Sequence, residues 1–338
     1  MTGNGTVPSW ELRDADRELF ERELESFVPD RIFDAHAHLY EKWYFPEGSA
    51  HRRNLQHAPD QCGLRKFREL SGWITPRRQV DALFLSFPVH GDLAAISRFA
   101  AAEARQDPGC RASMLVTPDM DPEYVREEVR RHGFRGLKCY HIYSARQPTF
   151  DSYVEEFLTE PLVKVAHEEE LCITLHMVRS RALADPRNRE TILRYCRAYP
   201  RMQMILAHAG RGFNPHHTVE GIAEMRGVAN LWFDSAAVTD GGAFEAIIQT
   251  VGHDRLLYGS DFFISHLRGR ALAIGDSFIW LYEDSLDWSQ FAYARVEPTL
   301  VGLESLRCLK LAALHLRLSD SQVEDIFWGN ARRMLRLG

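Results

Sequence analysis

The stretch Arg31–Tyr40, "RIFDAHAHLY", places two histidines, His36 and His38, at the end of an apolar run that is typical of a β-strand. Successive side chains of a strand point to opposite faces, so His36 and His38 face the same side, together with Asp34. These side chains could therefore bind one common ligand. Alternatively, one histidine is buried and hydrogen-bonded while the other is exposed. The other strands of the chain decide between these interpretations.

Seven further apolar segments are similar to this first strand. Along the chain they read "VDALFLSFP", "RASMLVTP", "FRGLKCY", "LCITLHM", "MQMILAHAG", "NLWFDSA" and "LLYGSDF". Segments of helical spacing alternate with them, for example 93–106, 122–132, 154–170 and 187–199. Nearly continuous apolar strands separated by single helices indicate a parallel sheet that is covered on both faces. Eight such units favour an α/β fold of the closed (β/α)8 TIM barrel type. An open doubly wound sheet is the alternative, although the chain offers no G-x-G-x-x-G turn.

Segments outside this regular pattern define the domain organisation. Residues 1–30 form an N-terminal helical extension of charged character, and residues 31–338 form the barrel. Two connections, at about residues 39–78 and 262–299, are much longer than typical loops between strands and helices. They follow strands 1 and 8 at the carboxyl ends, where barrel enzymes assemble their active sites. We expect these insertions to build a substrate pocket or a subunit contact.

Composition and charge argue against several classes of function. With 41 Lys+Arg against 47 Asp+Glu, the chain of 338 residues carries a formal net charge of -6. Nothing therefore favours binding to nucleic acid or to an anionic membrane. The sequence shows neither a membrane span nor a signal peptide, which predicts a cytoplasmic protein. The six cysteines include no C-x-x-C pair and predict buried free thiols. We expect a small-molecule substrate as the partner and a homo-oligomer, a dimer, as the assembly.

Polar side chains also lie at the ends of other predicted strands, as His36 and His38 do at the end of the first. His176 closes "LCITLHM", His208 lies in "MQMILAHAG" and Asp261 follows "LLYGS". Taken singly, a histidine after an apolar run is often a hydrogen-bonded core residue. Strands 1, 5, 6 and 8 of a barrel converge at one mouth, however. His36, His38, His176 and Asp261 can therefore surround one divalent cation.

Three imidazoles and one carboxylate suit Zn²⁺ first, with Mn²⁺ or Fe²⁺ as alternatives, and leave positions open for water or substrate. A divalent cation lowers the pKa of a bound water from about 16 to about 7. Asp261 could accept the proton of that water, and His208 could hydrogen-bond the water or the developing oxyanion. The pattern therefore predicts a catalytic site with one divalent metal.

These residues resemble the amidohydrolase superfamily, in the branch that includes aminocarboxymuconate semialdehyde decarboxylase, resorcylate decarboxylases and dicarboxylate lactonases. The resemblance covers most of the chain and rests on "DAHAH", "GFRGLKCY", "LHM", "LAHAG", "YGSDF" and the closing "IFWGNARRML". It implies a metal-dependent (β/α)8 barrel with a mononuclear site. By this resemblance His36, His38, His176 and Asp261 are the metal ligands, and His208 is the catalytic histidine beside them.

Lys138 lies on the strand where binuclear relatives use a carboxylated lysine to bridge two metals. The mononuclear branch is similar in having a lysine in this context that is not a ligand. The resemblance therefore implies one metal, with Lys138 as an inward electrostatic or structural group. Tyr140, two residues further along the strand, is expected to point the same way.

The ligand set supports two reactions, namely hydrolysis of an acyl C–N or C–O bond and non-oxidative decarboxylation of an unsaturated or aromatic acid. A guanidinium pairs well with a carboxylate, so arginines near strand ends indicate a substrate that carries one. The candidates are Arg179, Arg211 and Arg268, and we expect one or two of them to reach the pocket. We expect a hydrolase, with a decarboxylase as the alternative. A barrel that binds a ligand without turnover is a third interpretation, which the combination of Asp261 and His208 disfavours.

Overall fold

The structure is a computed structural model that describes residues 8–89, 91–294 and 296–337. Within these residues eight strands pair in parallel in one sheet, and two antiparallel ribbons of two strands each lie outside it. In chain order the strands are β1 (Arg31–His38), β2 (Tyr40–Glu41), β3 (Gln61–Cys62), β4 (Gln79–Leu85), β5 (Arg111–Val116), β6 (Gly136–Tyr140), β7 (Cys172–His176), β8 (Gln203–Leu206), β9 (Leu231–Asp234), β10 (Leu256–Leu257), β11 (Gly269–Ile274) and β12 (Ser277–Tyr282). The sheet order is β1-β4-β5-β6-β7-β8-β9-β10, and β2–β3 and β11–β12 are the ribbons.

Backbone hydrogen bonds between β1 and the segment after β10 close this sheet into a barrel. The N–H of Ala35 donates to the carbonyl of Tyr258 at 2.9 Å, and the N–H of Asp261 donates to the carbonyl of His36 at 2.8 Å. Gly259 lies at this junction, where a Cβ atom would come within 2.8 Å of the Cβ of His36. The predicted (β/α)8 barrel is therefore confirmed, and each of the eight quoted segments contains one barrel strand.

Helices connect the strands and cover the outside of the barrel. In chain order the α-helices are α1 (Asp14–Leu19), α2 (Ala50–Asn54), α3 (Leu64–Ser71), α4 (Leu93–Ala104), α5 (Pro122–His132), α6 (Val154–Phe157), α7 (Glu160–Glu168), α8 (Pro186–Ala198), α9 (Pro215–Gly221), α10 (Gly241–Val251), α11 (Val301–His315), α12 (Asp320–Glu324) and α13 (Asn330–Leu335). Two π-helical turns, Phe20–Leu24 and Asp325–Gly329, continue α1 and α12. Short 3₁₀ helices lie at Lys42–Tyr44, His141–Tyr143, Thr149–Asp151, Ala182–Ala184, Ile222–Met225, His253–Arg255, Ile264–His266 and Trp288–Ala294.

Asp-Pro pairs begin two of the covering helices. The carboxylate of Asp121 accepts the N–H of Glu123 at the start of α5, and Pro122 occupies the first turn, where its missing N–H is not needed. Asp185 and Pro186 begin α8 in the same way. Gly133 ends α5 at a φ of 71°, a left-handed conformation that suits glycine. The sequence therefore sets these helix ends locally.

The single helix expected over residues 154–170 is instead two helices, α6 and α7. Thr159 between them is extended, with φ of -74° and ψ of 150°. Pro161 has no N–H to donate, so it is tolerated in the first turn of a helix but not in a helix interior. A new helix therefore begins at residue 160, with the proline in its first turn.

Apolar side chains fill the barrel on its amino-terminal side. They come from the strands and from the last helix, namely Phe33, Ala35, Leu83, Leu85, Cys172, Ile205, Trp232, Leu257, Ala331, Met334 and Leu335. Asn330 fixes α13 in place, because its amide donates to the carbonyls of His253 at 2.8 Å and Leu256 at 2.7 Å. The interior is thus a packed core at this end, which leaves the carboxyl end of the strands for a site.

The N-terminal extension packs on the barrel through apolar side chains and a buried ion pair. Phe20 and Leu24 are buried in the core. The guanidinium of Arg268 donates to both carboxylate oxygens of Asp16, at 2.5 and 3.0 Å, and neither side chain is more than 1% exposed. Arg268 belongs to the insertion after β10, which is the eighth strand of the barrel. The extension therefore holds that insertion against the barrel.

All six cysteines are free, as predicted; five are buried and Cys308 is partly exposed. Burial raises the pKa of the Cys172 thiol to about 12, which keeps it protonated and unreactive. Across the part of the chain that the structure describes, no helix combines the length and apolar character needed to cross a membrane.

Asp16→Asn should lower the free energy of unfolding by about 3 kcal/mol, because it leaves the buried Arg268 guanidinium without its counter-ion. Urea denaturation followed by circular dichroism measures the change. Asp14→Asn is the matched control on the same helix, since Asp14 pairs with Arg17 on the surface, and it should change stability little. Equal losses in the two variants would contradict this account of the extension.

Candidate metal centre

His36, His38 and Asp261 meet at the carboxyl end of the barrel. Nε2 of His36 lies 3.6 Å from Oδ1 of Asp261, and Nε2 of His38 lies 3.3 Å from the same oxygen. One ligand atom from each residue lies within 4.8 Å of the others. Bonds from zinc to nitrogen or oxygen are about 2.0–2.2 Å long, so a cation between these atoms could contact all three. The donor set and its spacing therefore fit a divalent cation.

The hydrogen bonds of His36 and His38 leave Nε2 of each ring available for a metal. Nδ1 of His38 donates to the carbonyl of Leu85 at 2.9 Å, and Nδ1 of His36 donates to Oδ2 of Asp234 at 2.8 Å. Burial lowers the pKa of both imidazoles below the usual value for histidine, and that of His36 far below it. Neutral rings with a free Nε2 lone pair are the form that binds a cation.

His176 and His208 lie beside each other in the same cavity. Nδ1 of His208 donates to the carbonyl of Ala236 at 2.9 Å, which leaves its Nε2 as an acceptor in the neutral ring. Nδ1 of His176 lies 3.1 Å from this nitrogen and is therefore the donor between the two rings. Nε2 of His176 then keeps its lone pair. His176 is thus in the tautomer that a metal ligand needs, although it lies outside the close group of His36, His38 and Asp261.

A left-handed turn, Ala207–Arg211, carries His208 and Arg211. The φ angles of its last four residues are 57°, 54°, 71° and 60°. This conformation costs a non-glycine residue about 1–2 kcal/mol. The N–H of His208 donates to Oδ1 of Asp234 at 2.7 Å, and the N–H of Gly212 donates to the carbonyl of His208 at 2.6 Å. Strain of this kind, held by surrounding hydrogen bonds, is a feature of functional sites.

Arg211 lines the cavity as a largely buried cation. Its Nη1 donates to the carbonyl of Arg179 at 2.9 Å, and its guanidinium lies 5.2 Å from the centroid of the Phe278 ring. Among the described residues it has no carboxylate partner, and desolvation lowers the pKa of its guanidinium to about 10. A buried guanidinium that lacks a counter-ion in the protein is suited to bind an anionic ligand.

Seven Phe, Tyr and Trp side chains line the cavity, which has a volume of about 500 Å³. They are Phe87, Tyr140, Phe150, Phe213, Phe278, Trp280 and Tyr282. The last three alternate along β12, so one face of the β11–β12 hairpin is a wall of the cavity. Asn214 holds the hairpin tip, because its amide donates to the carbonyls of Gly275 at 3.1 Å and Ser277 at 3.0 Å. The insertion after β10 therefore contributes to the pocket, as its position in the sequence indicates.

Two of the three arginines expected to bind substrate do not reach this cavity. Nε of Arg179 pairs with Oδ2 of Asp185 at 2.6 Å, and Arg268 is bound to Asp16 in the extension. Among the described residues that line the cavity, neither of these arginines occurs. Arg179 and Arg268 thus lie away from the cavity, and each guanidinium is paired with a carboxylate of the protein. Arg211 remains the candidate.

Lys138 is fully buried on β6, with Nζ 4.8 Å from the centroid of the Tyr140 ring. Burial lowers the pKa of its ammonium to about 8, against the opposing effect of Asp234 and Asp261. Among the described residues Nζ has no hydrogen-bond partner. Lys138 thus contributes an inward positive charge, and Tyr140 faces the cavity.

Asp34 does not join the histidines in the cluster, although strand alternation predicts that it shares their face. A register shift between Asp34 and Ala37 interrupts the pairing of β1 with β4. Oδ1 of Asp34 instead accepts the N–H groups of His36 at 3.0 Å and Ser260 at 2.9 Å. Asp34 therefore supports the junction of the first and last strands.

Three further residues belong to this site although the sequence pattern predicts no role for them. Asp234 ends the segment "NLWFDSA", so it carried the same signal as the strand-end histidines. His141 follows Tyr140 at the end of β6 and also lines the cavity, whereas His51 reaches the cavity from α2, where no strand pattern marks it. Burial lowers the pKa of His51 and of His141 to about 4, so both rings are neutral near pH 7.

Comparison with known proteins identifies a family and several structures of the same fold. The family model described as Amidohydrolase matches residues 33–337. An amidohydrolase from Burkholderia multivorans with bound zinc has a TM-score of 0.55 at 12% identity, covering 91% of this chain and 99% of that chain. A proposed 2-pyrone-4,6-dicarboxylic acid hydrolase from Pseudomonas putida has a TM-score of 0.52 at 14% identity, with 91% and 98% covered.

A 2,6-dihydroxybenzoate decarboxylase from Rhizobium has a TM-score of 0.53 at 13% identity, covering 91% of this chain and 98% of that chain. Identities this low show the shared fold alone. A search of curated proteins found no match.

Arg211→Met should raise the free energy of unfolding by about 1–2 kcal/mol, because it removes a desolvated cation that has no carboxylate partner. Urea denaturation at pH 7 measures the change. Arg179→Met, which breaks the ion pair with Asp185, is the control and should leave stability unchanged or slightly lower. A lower free energy of unfolding in Arg211→Met than in the unchanged protein would contradict this expectation. It would show that Arg211 serves the fold and not a ligand.

Proposed function

The chain belongs to the amidohydrolase family over residues 33–337 and is an enzyme, and from this premise we propose that it is a metal-dependent hydrolase. It would cleave an acyl C–N or C–O bond of a small substrate that bears a carboxylate. The observation that carries the proposal is the approach of His36, His38 and Asp261 to within 4.8 Å of one another, through ligand atoms free to bind a cation. His176 is proposed as the fourth ligand of a single Zn²⁺, with Mn²⁺ as the alternative.

A divalent cation, when bound there, would supply Lewis acidity and a water acidified to near-neutral pKa. Asp261 is proposed as the base that takes the proton of this water. Burial alone would raise the pKa of the Asp261 carboxyl, but contact with His38 and the neighbouring imidazoles of His36 and His208 holds it below its usual range. The carboxylate is therefore ionised at pH 7 and can both bind a cation and accept a proton.

His208 is proposed to stabilise the oxyanion that forms as the carbonyl is attacked. Its ring centroid lies 4.9 Å from those of His36 and His176, so it borders the ligand cluster. Its Nε2 is the nitrogen directed toward His176 and the cavity. Because Nδ1–H is held by the carbonyl of Ala236, Nε2 can donate to a developing negative charge only when the ring carries a second proton. A charge-assisted hydrogen bond of this kind would lower the barrier more than one to the neutral carbonyl.

Arg211 is proposed to bind the carboxylate of the substrate. It is the arginine that lines the cavity within the described residues, and the aromatic walls beside it keep water away from the ion pair. A charge-assisted, bidentate hydrogen bond in such surroundings fixes the orientation of the substrate as well as its affinity.

Non-oxidative decarboxylation of an unsaturated or aromatic acid is the second candidate. The flat aromatic side chains of the cavity and the unpaired Arg211 favour it, because together they suit a planar anion. The same metal ligands would serve either reaction. Only the fate of the substrate carboxylate and of solvent oxygen separates the two.

A small-molecule substrate, a cytoplasmic location and a homodimeric assembly complete the proposal. The net charge of -6 gives no support for nucleic acid as a partner. Trp43 and Leu286, one in each long insertion, expose apolar surface at the level of the loops.

Zinc-loaded protein should incorporate ¹⁸O from labelled water into its acyl product, because the nucleophile is solvent water. The measurement is mass spectrometry of products from a panel of lactones, amides and unsaturated carboxylic acids, with CO₂ release followed in parallel. Asp261→Asn should abolish turnover while circular dichroism stays unchanged. Asp276→Asn, at the exposed tip of the hairpin, is the matched carboxylate control and should keep activity.

CO₂ release without ¹⁸O in the organic product would replace hydrolysis by the decarboxylase candidate. Binding of panel compounds without any product would favour the non-catalytic interpretation. Turnover by metal-loaded Asp261→Asn would refute the proposed base.

A further inference from the structure

Asp234, at the carboxyl end of β9, touches both a candidate metal ligand and the left-handed turn that carries His208. Its side chain is fully buried. Oδ2 accepts the Nδ1–H of His36 at 2.8 Å. Oδ1 accepts the backbone N–H groups of His208 at 2.7 Å and Ala236 at 3.2 Å. One carboxylate therefore contacts two parts of the site, one on β1 and the other in the turn that follows β8.

The two oxygens of Asp234 are not interchangeable in this arrangement. Backbone N–H groups can only donate, so the atom that faces His208 and Ala236 must be an acceptor. The other oxygen fixes the proton of His36 on Nδ1, because a carboxylate accepts and does not donate. Nε2 of His36, the atom that faces Asp261, is thereby left with its lone pair.

The same carboxylate holds the strained backbone in place. His208 has a φ of 57°, and its N–H would be buried without a partner if Asp234 were absent. An unpaired buried N–H is destabilising, and this adds to the strain of the turn. Asp234 therefore stabilises the left-handed turn that directs His208 and Arg211 toward the cavity.

We propose that Asp234 is a positioning residue that fixes the metal-binding tautomer of His36 and couples it to the turn bearing His208. This inference rests on the proposed metal site. It assigns Asp234 no contact with substrate and no part in proton transfer. Its effect is on the affinity for the cation and on the position of the protons on the His36 ring.

Asp234→Asn separates these contacts. The amide oxygen must still face the N–H groups of His208 and Ala236, so the amide NH₂ takes the position beside Nδ1 of His36. It can only donate there, which forces the His36 proton onto Nε2 and blocks the lone pair. The turn should survive, whereas zinc affinity should fall about 10- to 100-fold, the range seen when such supporting partners of metal ligands are removed.

Asp34→Asn is the matched control. Asp34 is also buried, and its Oδ1 also accepts two backbone N–H groups, from His36 and Ser260. It makes no contact with the imidazole of His36 among the described hydrogen bonds. The amide oxygen of an asparagine can accept the same two N–H groups, so it is a close substitute. Zinc affinity and the His36 tautomer should stay as in the unchanged protein.

The experiment combines ¹H–¹⁵N NMR of the histidine rings in metal-free protein with zinc titration against a chromogenic chelator. In the unchanged protein His36 should be protonated on Nδ1. In Asp234→Asn it should be protonated on Nε2, with the loss of zinc affinity stated above. An unchanged tautomer and affinity in Asp234→Asn would overturn the proposal, as would an equal loss in Asp34→Asn.

If Asp234→Asn does not fold, the NMR spectrum of the unchanged metal-free protein still tests the proposal. A His36 ring protonated on Nε2 in that protein would refute it. Failure of the proposed function has a different signature. In that case the unchanged protein would bind no zinc, while its His36 ring would still report whether Asp234 fixes the tautomer.

Discussion

The hydrogen bond from the N–H of Asp261 to the carbonyl of His36, at 2.8 Å, joins the last strand of the barrel to the first. The rest of the candidate site depends on this junction. It brings the carboxylate of Asp261 to the Nε2 atoms of His36 and His38, which lie 225 and 223 residues away in the chain. Gly259 allows the approach, since a side chain there would collide with His36. Barrel closure and the assembly of the candidate ligands are therefore one constraint.

The site is built from groups that are unfavourable for folding. Arg211 is a desolvated cation without a carboxylate partner, Lys138 is a fully buried ammonium, and the turn at Ala207–Arg211 is left-handed over four residues. Each of these features lowers stability unless an opposite charge or surrounding hydrogen bonds compensate it. Their occurrence together at the carboxyl end of the strands, above a well-packed apolar interior, separates the part of the barrel that serves stability from the part that serves chemistry.

Much of the fold could be predicted from sequence because it depends on local pattern. Apolar runs located the barrel strands, and polar residues at their ends located His36, His38, His176 and Asp261. The role of Arg268 could not be predicted, because its partner Asp16 lies 252 residues away and no local signal links them. The same holds for pocket residues on the insertions, where neither strand alternation nor helical spacing sets the direction of a side chain.

Asp234 is an intermediate case, since it ends a strand as the ligands do and could have been singled out. Its position shows that the strand-end rule identifies residues near the site but does not separate metal ligands from the groups that orient them. The hydrogen bonds of Asp234 with the Nδ1–H of His36 and the N–H of His208 are the basis for the proposal that it orients a ligand.

The central claim is that three histidines and one carboxylate hold a single catalytic metal, and X-ray absorption spectroscopy of zinc-loaded protein tests it most directly. The account predicts about one zinc per chain, with nitrogen and oxygen ligands at about 2.0–2.2 Å and the multiple scattering of imidazole rings. Sulfur ligands, two metals per chain or no stoichiometric binding of zinc would contradict it.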